Sequence, residues 1–337
     1  MNTTQLPPFV QALLAPGAYP HPAADVQLVQ THISYVLLAG DFVYKFKKPV
    51  DFGFLNFTTL DQRKHFSAQE LLLNQRLSPS IYLAQVTVTR DGEKLALNGS
   101  GEPVEYGIKM QRMPEEMMMG NVIKRGELTT EMLDAIVAKL VPFYEQADGS
   151  DAIKDFGSAK AVSVNVLENF EQTESFIGCE ALSQVQFDAI SGYARQFLGR
   201  EELFNQRIAA GKVRDCHGDL YSANICLADQ VYIFDCIEFN ERFRYCDVAS
   251  DAAFLAMDLD FHQLNELSEH FIERLTAASG DDTLRTMLNF YKCYRAYVRG
   301  KIGLFTAHDP QVDETTQKSC LAQAAKYFKL AEQYAQS

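Results

Sequence analysis

The chain has 337 residues, of which 47% are hydrophobic and 22% are charged, a composition that is typical of a globular protein and excludes global disorder. Its formal net charge of −13 argues against a general nucleic-acid binder, because affinity for the phosphate backbone needs clustered Lys and Arg. Seven cysteines without a C-x-x-C pair favour reduced thiols, and no apolar run reaches the ~18 to 20 residues of a membrane span. The N-terminus has no signal-peptide pattern, so we expect a cytoplasmic protein with no nucleic-acid or membrane partner.

The first part of the chain predicts an antiparallel sheet that carries one main helix. A short helix through Leu14 comes first, with Thr4 as its candidate cap. A second helix is expected over 59–77 and ends at Ser78–Pro79. Strand-like alternation marks 26–30, 35–47, 82–97 and 105–113, with turn residues at Ala39–Gly40–Asp41 and Arg90–Asp91–Gly92.

From about residue 115 the hydrophobic pattern becomes helical. It covers 129–147, 161–177, 183–210 and most of 246–337, and the only strand-like interruption is 213–239. We therefore predict two lobes of an α+β protein. A β-rich N-lobe spans 1–113, and a large helical C-lobe spans 114–337.

Polar residues are crowded into the strand-like interruption. The string "CHGDLYSANICL" covers 216–227, and "VYIFDCIEF" follows it. Phosphoryl transfer needs a carboxylate that accepts the proton of the attacking hydroxyl, and oxygen ligands for Mg²⁺. Asp219, two residues after His217, fits the base, and Asn224 and Asp235 fit the metal ligands. The alternative is an acidic turn between two strands.

The predicted third strand, "DFVYKFKKPV", offers the lysine that such chemistry needs. Alternation places Lys45 and Lys47 on one face. Lys45 is the first candidate for holding the non-transferred phosphates, with Lys47 as the runner-up. Glu70, inside the predicted helix, is the candidate ion-pair partner.

Two further segments are predicted to contact the nucleotide. No G-x-G-x-x-G occurs between the first two strands, where "QTHISYV" stands instead. Ser34, or the backbone amides around His32 and Ile33, is therefore the candidate contact for the β-phosphate. At the end of the last strand of this lobe, the hinge expected to meet the adenine consists of Met110, Gln111 and Met113.

The string "HGDLYSAN" resembles the catalytic loop of aminoglycoside phosphotransferases and choline kinases more than that of protein kinases. The longer strings "THISYVLLAGDFVYKFKKPVDFGFLNF", "FDCIEFNERFRYCDVASDAAFLAMDLD" and "YRAYVRGK" are similar to a bacterial aminoglycoside phosphotransferase-like family of unassigned substrate. The resemblance implies a bilobal protein-kinase-like fold, ATP or GTP with Mg²⁺ as cofactors, and a small-molecule hydroxyl acceptor. It further implies that Asp247 binds backbone amides beneath the catalytic loop.

Some members of that family carry a C-terminal P-loop domain. This sequence has no G-x-x-x-x-G-K-[ST], so the resemblance implies a stand-alone version. Two alternative functions stay open. One is a nucleotide-binding pseudokinase that regulates a partner, and the other is a protein kinase that modifies itself or a protein partner, although no A-P-E follows Asp235.

The charge of the acceptor stays open as well, because two opposed clusters bear on it. An acidic run, which would suit a cationic acceptor, comprises Asp258, Asp260, Glu266 and Glu269. A basic helical stripe, which would suit an anionic or sugar-like acceptor, comprises Lys292, Arg295 and Arg299. Both runs are more often solvated faces or mutual salt bridges.

Overall fold

The structure, a computed structural model, describes residues 6–310 and 312–337. These residues form two units, one of 6–118 with 226–241 and the other of 119–225 with 242–337. The sequence suggests a single boundary near residue 113. The structure differs in that the segment 226–241, which contains Asp235, groups with the N-terminal unit.

The first unit contains a six-stranded sheet in which every neighbouring pair is antiparallel. In chain order the strands are β1 (Val26–Gln30), β2 (Ser34–Ala39), β3 (Phe42–Lys47), β4 (Tyr82–Asp91), β5 (Lys94–Leu97) and β6 (Glu102–Gln111), and in space they follow β1-β2-β3-β6-β4-β5. The hairpins β2–β3 and β4–β5 turn at Gly40 and Gly92, each with a φ of 60°, a conformation that glycine adopts without steric cost. The predicted antiparallel sheet is confirmed.

Two helices belong to this unit, α1 (Pro8–Leu13) and α2 (Leu60–Asn74). Helix α1 begins after Pro7 and has Leu14 as its C-cap, while Thr4 lies outside the described residues. Helix α2 begins at Thr59, whose hydroxyl accepts from the Gln62 amide in a capping box. Its buried residues include four polar ones at helical spacing, namely Arg63, Ser67, Glu70 and Asn74. Polar contacts therefore fix this helix in place.

The hairpin of β8 (Ile225–Leu227) and β9 (Val231–Ile233) explains why residues 226–241 group with the first unit. Its buried side chains Cys226 and Tyr232 share one apolar cluster with Ile81, Tyr82, Ile108 and Met110. At ~25 cal/mol per Å² of apolar surface, burial of such large side chains is the main force that attaches the hairpin. The sequence pattern does not reveal this packing because its partners lie more than a hundred residues earlier.

The remainder of the chain is mainly helical. Its helices are α3 (Met119–Lys124), α4 (Thr130–Gln146), α5 (Asp151–Lys154), α6 (Ala159–Thr173), α7 (Gln184–Leu198), α8 (Glu201–Ala209), α9 (Glu241–Arg244), α10 (Val248–Phe261), α11 (Asn265–Ser279), α12 (Leu284–Ala307) and α13 (Glu314–Gln336), and its strands β7 (Val213–Asp215) and β10 (Tyr245–Asp247) pair antiparallel. Within residues 6–310 and 312–337, no helix combines the length and apolarity that a membrane span requires.

Helix α10 lies at the centre of the second unit, with α11 and α12 packed against it. Twelve of its residues, from Val248 to Leu259, are buried, which is the pattern of a helix that is enclosed on every side. Helix α12 is held in turn by α13. A Cβ atom at Gly300 would lie 2.8 Å from the ring of Phe328, so only glycine permits this close approach. These two contacts fix the position of α12, which carries the basic stripe.

Candidate active site

In the first unit, β3 and α2 bring two lysines onto one carboxylate. Lys45 Nζ lies 2.8 Å from Glu70 Oε1, and Lys47 Nζ lies 2.6 Å from Glu70 Oε2. Burial alone would raise the pKa of Glu70, but the two ammonium groups outweigh it and lower this pKa to about 2. The structure thus brings Lys45 and Glu70 together as the sequence predicts, and it adds Lys47 to the same carboxylate.

Two more carboxylates extend this arrangement into a lysine–carboxylate network of Lys45, Lys47, Glu70, Asp235 and Glu238. Lys45 Nζ also lies 2.5 Å from Asp235 Oδ1, and Lys47 donates to Glu238. Burial and the negative charge of Glu70 raise the pKa of Glu238, and they outweigh the opposite effect of Lys47 and Lys45. Burial opposes the charged form of Lys45 as well, but the charges of Asp235 and Glu70 raise its pKa well above the usual value.

The network has an open end and a closed end. The side chains of Lys45 and Asp235 are 17% and 45% exposed, whereas those of Lys47 and Glu238 are 3% and 7% exposed. A ligand can therefore reach Lys45 and Asp235 more easily than the other pair. A phosphate contact by either lysine stays a prediction, and this difference favours Lys45 over Lys47 for it.

The segment that carries Asp235 is anchored by polar side chains that the sequence analysis does not single out. The Ser78 hydroxyl donates to the Ile233 carbonyl at 2.8 Å. The Asp235 amide donates to the Tyr82 hydroxyl at 3.0 Å, and Asn74 Oδ1 accepts from the next amide along the chain. Asp235 has a φ of 61°, a left-handed conformation that costs a non-glycine residue roughly 1 to 2 kcal/mol. The anchors stabilise that conformation.

The predicted nucleotide contacts occupy less open positions. Ser34 begins β2 and is 1% exposed, and its hydroxyl has no hydrogen-bond partner among the described residues. The amides of Ile33 and Ser34 donate to Thr31 Oγ1 at 3.3 and 3.0 Å, so both amides already have a hydrogen-bond acceptor within the turn. A phosphate contact by Ser34 stays a prediction.

The predicted hinge comprises the last two residues of β6, Met110 and Gln111, and Met113 just beyond it. The Gln111 amide donates to the Ile81 carbonyl at 2.8 Å, while the side chains of Met110 and Met113 pack in the apolar cluster of the β8–β9 hairpin. The hinge is thereby fixed in place by the same cluster that attaches the segment of Asp235.

In the second unit, the loop of His217 to Asn224 is held through its backbone. The amides of His217 and Gly218 donate to the two carboxylate oxygens of Asp251 at 3.0 and 2.8 Å. The Tyr144 hydroxyl donates to the same carboxylate at 3.0 Å. Gly218 has a φ of 86°, where a side chain would be strained. Farther along, the Ser222 amide donates to Asp258 at 3.0 Å.

The residue that holds the loop is therefore Asp251, and the expectation for Asp247 is wrong. Asp247 caps α10 by accepting from the Ala249 amide, and it receives two hydrogen bonds from buried Arg207 at 2.9 and 2.6 Å. Asp251 lies four residues later, about one helical turn on, and this turn places its carboxylate at the loop amides. The N-cap function that the sequence also indicates for Asp247 is present.

The predicted catalytic side chains of the loop contact one another. Asn224 Nδ2 donates to the backbone carbonyl and to Oδ2 of Asp219, both at 2.9 Å. The Asp219 amide donates to His217 Nδ1 at 3.3 Å. His217 is 0% exposed and its Nδ1 accepts from the loop backbone, so a catalytic role for its ring stays a prediction.

The acidic run and the basic stripe of the second unit are largely used within the fold. Lys292 Nζ lies 2.9 Å from Asp260, which also accepts from Tyr334. Arg295 donates to the carbonyls of Gly218 and Ser250 and to the Ser250 hydroxyl, at 3.0 to 3.3 Å. Of the two exposed acids, Glu266 and Glu269, the second pairs with Arg285 at 2.6 Å.

No protein-family model matches this chain. Uncharacterized proteins of Mycobacterium tuberculosis and Mycobacterium bovis are 33% identical over 287 residues, which make up 84% of this chain but 56% of the relatives. The chain thus spans little more than half the length of these relatives.

Among solved structures, a choline/ethanolamine kinase family protein of Mesorhizobium loti has a TM-score of 0.49 at 13% identity, over 97% of both chains. Amicoumacin kinase in complex with AMP-PNP, Ca²⁺ and Ami has a TM-score of 0.50 at 14% identity, over 91% of this chain and 88% of that one. The chain has the kinase-like fold. This confirms the predicted α+β architecture, with its antiparallel sheet followed by helices.

Within the kinase-like fold, oxygen donors are the groups able to bind a divalent cation. The carboxylate of Asp235 is half exposed, and Asn224 turns its amide nitrogen to Asp219, so its carbonyl oxygen is the remaining donor atom. Each is a hard oxygen donor of the kind that Mg²⁺ takes, and a metal contact by either residue stays a prediction. Among the described residues, no three His, Cys, Asp or Glu side chains lie close enough to hold a metal by themselves.

Proposed function

We propose that the protein is a phosphotransferase that transfers the γ-phosphate of ATP, or of GTP in its place, to a hydroxyl group of a small polar molecule. The observation that carries this proposal is the pairing of Lys45 with both Glu70 and Asp235 in the first unit. A lysine held by a helical glutamate, next to a metal-binding aspartate, is the set that binds nucleoside triphosphate phosphates. The kinase-like fold shared with amicoumacin kinase, which was solved with AMP-PNP and Ca²⁺, supports it.

The first unit supplies the nucleotide contacts in this proposal. Lys45 donates to the non-transferred phosphates, and Glu70 orients the lysine and keeps its charge paired. Ser34 contributes to the phosphate contacts at the start of β2. The adenine contacts come from the hinge residues Met110, Gln111 and Met113.

The second unit supplies the chemistry at the acceptor. The acceptor oxygen forms a bond to the γ-phosphorus while the bond from that phosphorus to the β,γ-bridging oxygen breaks, and ADP leaves. Asp219 accepts the hydroxyl proton and later releases it to water. Asn224 and His217 hold Asp219 in place through the hydrogen bonds described above.

A bound Mg²⁺ would neutralise phosphate charge, with Asp235 and Asn224 as its protein ligands. Lys45 pairs with Asp235 and is more exposed than Lys47, so its ammonium group would be the one that donates to phosphate oxygens of a bound nucleotide.

The experiment that tests the proposal uses the purified full chain with Mg-ATP and a panel of small hydroxyl compounds. We expect Asp219→Asn to lower turnover by about 100- to 10,000-fold, the usual contribution of a general base, with ATP affinity and stability unchanged. Asp235→Ala should remove turnover and weaken Mg-dependent nucleotide binding. Asp282→Asn, a carboxylate-to-amide change at an exposed position of the second unit, is the matched control.

Three results would contradict the site assignment or favour another function. Turnover that survives both Asp219→Asn and Asp235→Ala would contradict the assignment of the site. ATP binding combined with an inert wild type, equal to Asp219→Asn across the panel, would favour a regulatory pseudokinase. Radiolabelled phosphate retained on the protein, or on an added protein partner, would favour a protein kinase.

A further inference from the structure

The two acids of the acidic run that lie on α10, Asp258 and Asp260, are used within the fold. Asp258 is 3% exposed and accepts from the Ser222 amide of the loop. Asp260 is neutralised by Lys292 at 2.9 Å. Because buried Asp258 and half-buried Asp260 already have partners, an incoming cation would find no unpaired carboxylate at either position.

One arginine of the basic stripe is left without a counter-charge. Arg299 has no carboxylate within 4.0 Å among the described residues, and its Nε is buried without a hydrogen-bond partner. Its guanidinium lies 4.8 Å from the ring centre of Tyr221 and 5.7 Å from that of Tyr327. Arg299 also has a side-chain hydrogen bond with Tyr327. Aromatic faces and a neutral hydroxyl attract the cation without cancelling its charge, so the charge is available to a ligand.

The neighbouring arginine of the stripe shows the contrast. Arg295, four residues earlier on α12, is 5% exposed and donates from all three of its guanidinium nitrogens to Gly218 and Ser250. Arg299 is only half-buried and contacts the same loop through the ring of Tyr221 instead of a backbone oxygen. Arg295 therefore has a structural role, because its hydrogen bonds support the loop. The positive charge of Arg299 has no such role.

Arg299 also lies close to the proposed base. Tyr221, against which it packs, is two residues from Asp219, a separation of at most ~7 Å along the chain. Burial would lower the pKa of Arg299, but the nearby Tyr221, Tyr327 and Asp219 raise it above its usual value. A small molecule whose hydroxyl meets Asp219 can therefore reach Arg299 with another of its groups.

We propose that Arg299 binds an anionic group of the acceptor, so that the substrate class is a small hydroxyl compound that carries a phosphate or a carboxylate. This inference rests on the proposed phosphotransferase function and names its substrate class. A guanidinium matches both anions through paired N–H donors, and partial burial strengthens the attraction by reducing solvent screening. The rings of Tyr221 and Tyr327 hold the planar group in position for this contact.

A binding experiment that needs no turnover comes first. The Nε–H signal of Arg299 in the full chain, identified by its loss in Arg299→Lys, is followed by NMR with Mg-ADP present. Inorganic phosphate and acetate are added separately, and sodium chloride is added at matched ionic strength. We expect a saturable shift with phosphate or with acetate and none with chloride, and the stronger of the two anions identifies the chemical class. No saturable shift with either anion would overturn the inference.

The activity experiment uses four matched hexoses with Mg-ATP, namely glucose, glucosamine, glucose 6-phosphate and glucuronate. We expect an anionic sugar to have a kcat/KM at least tenfold above that of glucose. Arg299→Met should lower this value about 10- to 100-fold through KM, with Arg299→Lys between wild type and Met. Arg285→Met, at an exposed arginine of the same helix, should change it less than twofold.

The outcomes separate the two proposals. Equal losses for neutral and anionic sugars in Arg299→Met, or a preference for glucosamine, would contradict an anion-binding Arg299 while phosphotransfer itself stands. Saturable phosphate binding at Arg299, combined with no transfer to any sugar and no effect of Asp219→Asn on ATP turnover, would contradict the phosphotransferase function while the anion site stands.

Discussion

The two candidate regions are held in place in different ways. In the lysine–carboxylate network of the first unit, functional side chains are supported by the opposite charges of other side chains, as in the pairing of Glu70 with two lysines. In the second unit, the supporting side chains Asp251 and Arg295 bind backbone atoms of the loop. In the network the predicted functional side chains support one another, whereas the backbone of the loop is held by residues outside it. Substitutions can test this difference.

The largest effect on stability is expected for Asp251→Ala. The change leaves two buried loop amides and the Tyr144 hydroxyl without an acceptor, at roughly 1 to 3 kcal/mol for each group. We expect the free energy of unfolding to fall by about 4 kcal/mol in urea titrations, together with loss of turnover. Asp251→Asn keeps the shape and one acceptor oxygen, so its loss should be about half as large. A loss below about 1 kcal/mol for Ala would show that the loop is held in another way.

A somewhat smaller loss is expected for Glu70→Gln, and it should depend on pH. The pKa of Glu70 is lowered to about 2 in the folded protein, so its ionised form adds stability above its ordinary pKa of ~4.3. That contribution, about 3 kcal/mol at neutral pH, disappears as the pH falls from about 4.5 towards 2. Wild type and variant should therefore converge in acid when urea unfolding is measured at pH 7, 5 and 3. The exposed Glu93→Gln is the control, and a difference that does not change with pH would contradict the pairing.

The smallest effect is a coupling at the closed end of the network. Lys47→Met leaves Glu238 buried without its ammonium partner, and Glu238→Gln removes one of the two carboxylate partners of Lys47. Removing one member of a buried pair costs more than replacing both, so the double variant should be more stable than the sum of the single losses predicts. We expect a coupling energy of about 2 kcal/mol in a double-mutant cycle. Additive losses would show that the pair does not act as a unit.

Local patterns in the sequence predict much of the fold and part of the site. Alternation in "DFVYKFK" places Lys45 and Lys47 on one face, and both indeed contact Glu70. The helix that is predicted over 59–77 carries this glutamate, and it forms over Leu60–Asn74. The spacing in "HGDLYSAN" identifies Asp219 and Asn224, which share a hydrogen bond. Each of these patterns depends on residues that are close to each other along the chain.

The errors and omissions concern partners that are distant along the chain. Asp247 and Asp251 both stand near the start of α10, and only the packed helix decides which carboxylate meets the loop amides. Asn74, Ser78 and Tyr82 anchor the segment of Asp235, although they lie about 160 residues earlier in the chain. The apolar cluster of the β8–β9 hairpin also joins residues that are distant along the chain. Asn74 lies at the end of α2 at helical spacing from Arg63, Ser67 and Glu70, and this spacing is a signal that could have indicated it.

The sequence by itself determined the order of strands and helices, the turns and caps, and the residue types that phosphoryl transfer needs, because these follow from short-range periodicity and backbone sterics. Tertiary structure decided which charges pair. It assigned Lys292 to Asp260, Arg295 to the loop backbone, and left Arg299 between two tyrosine rings. The physical reason is that the strength of an ion pair depends on the distance and burial that packing imposes, and these are not encoded in the spacing of residues along the chain.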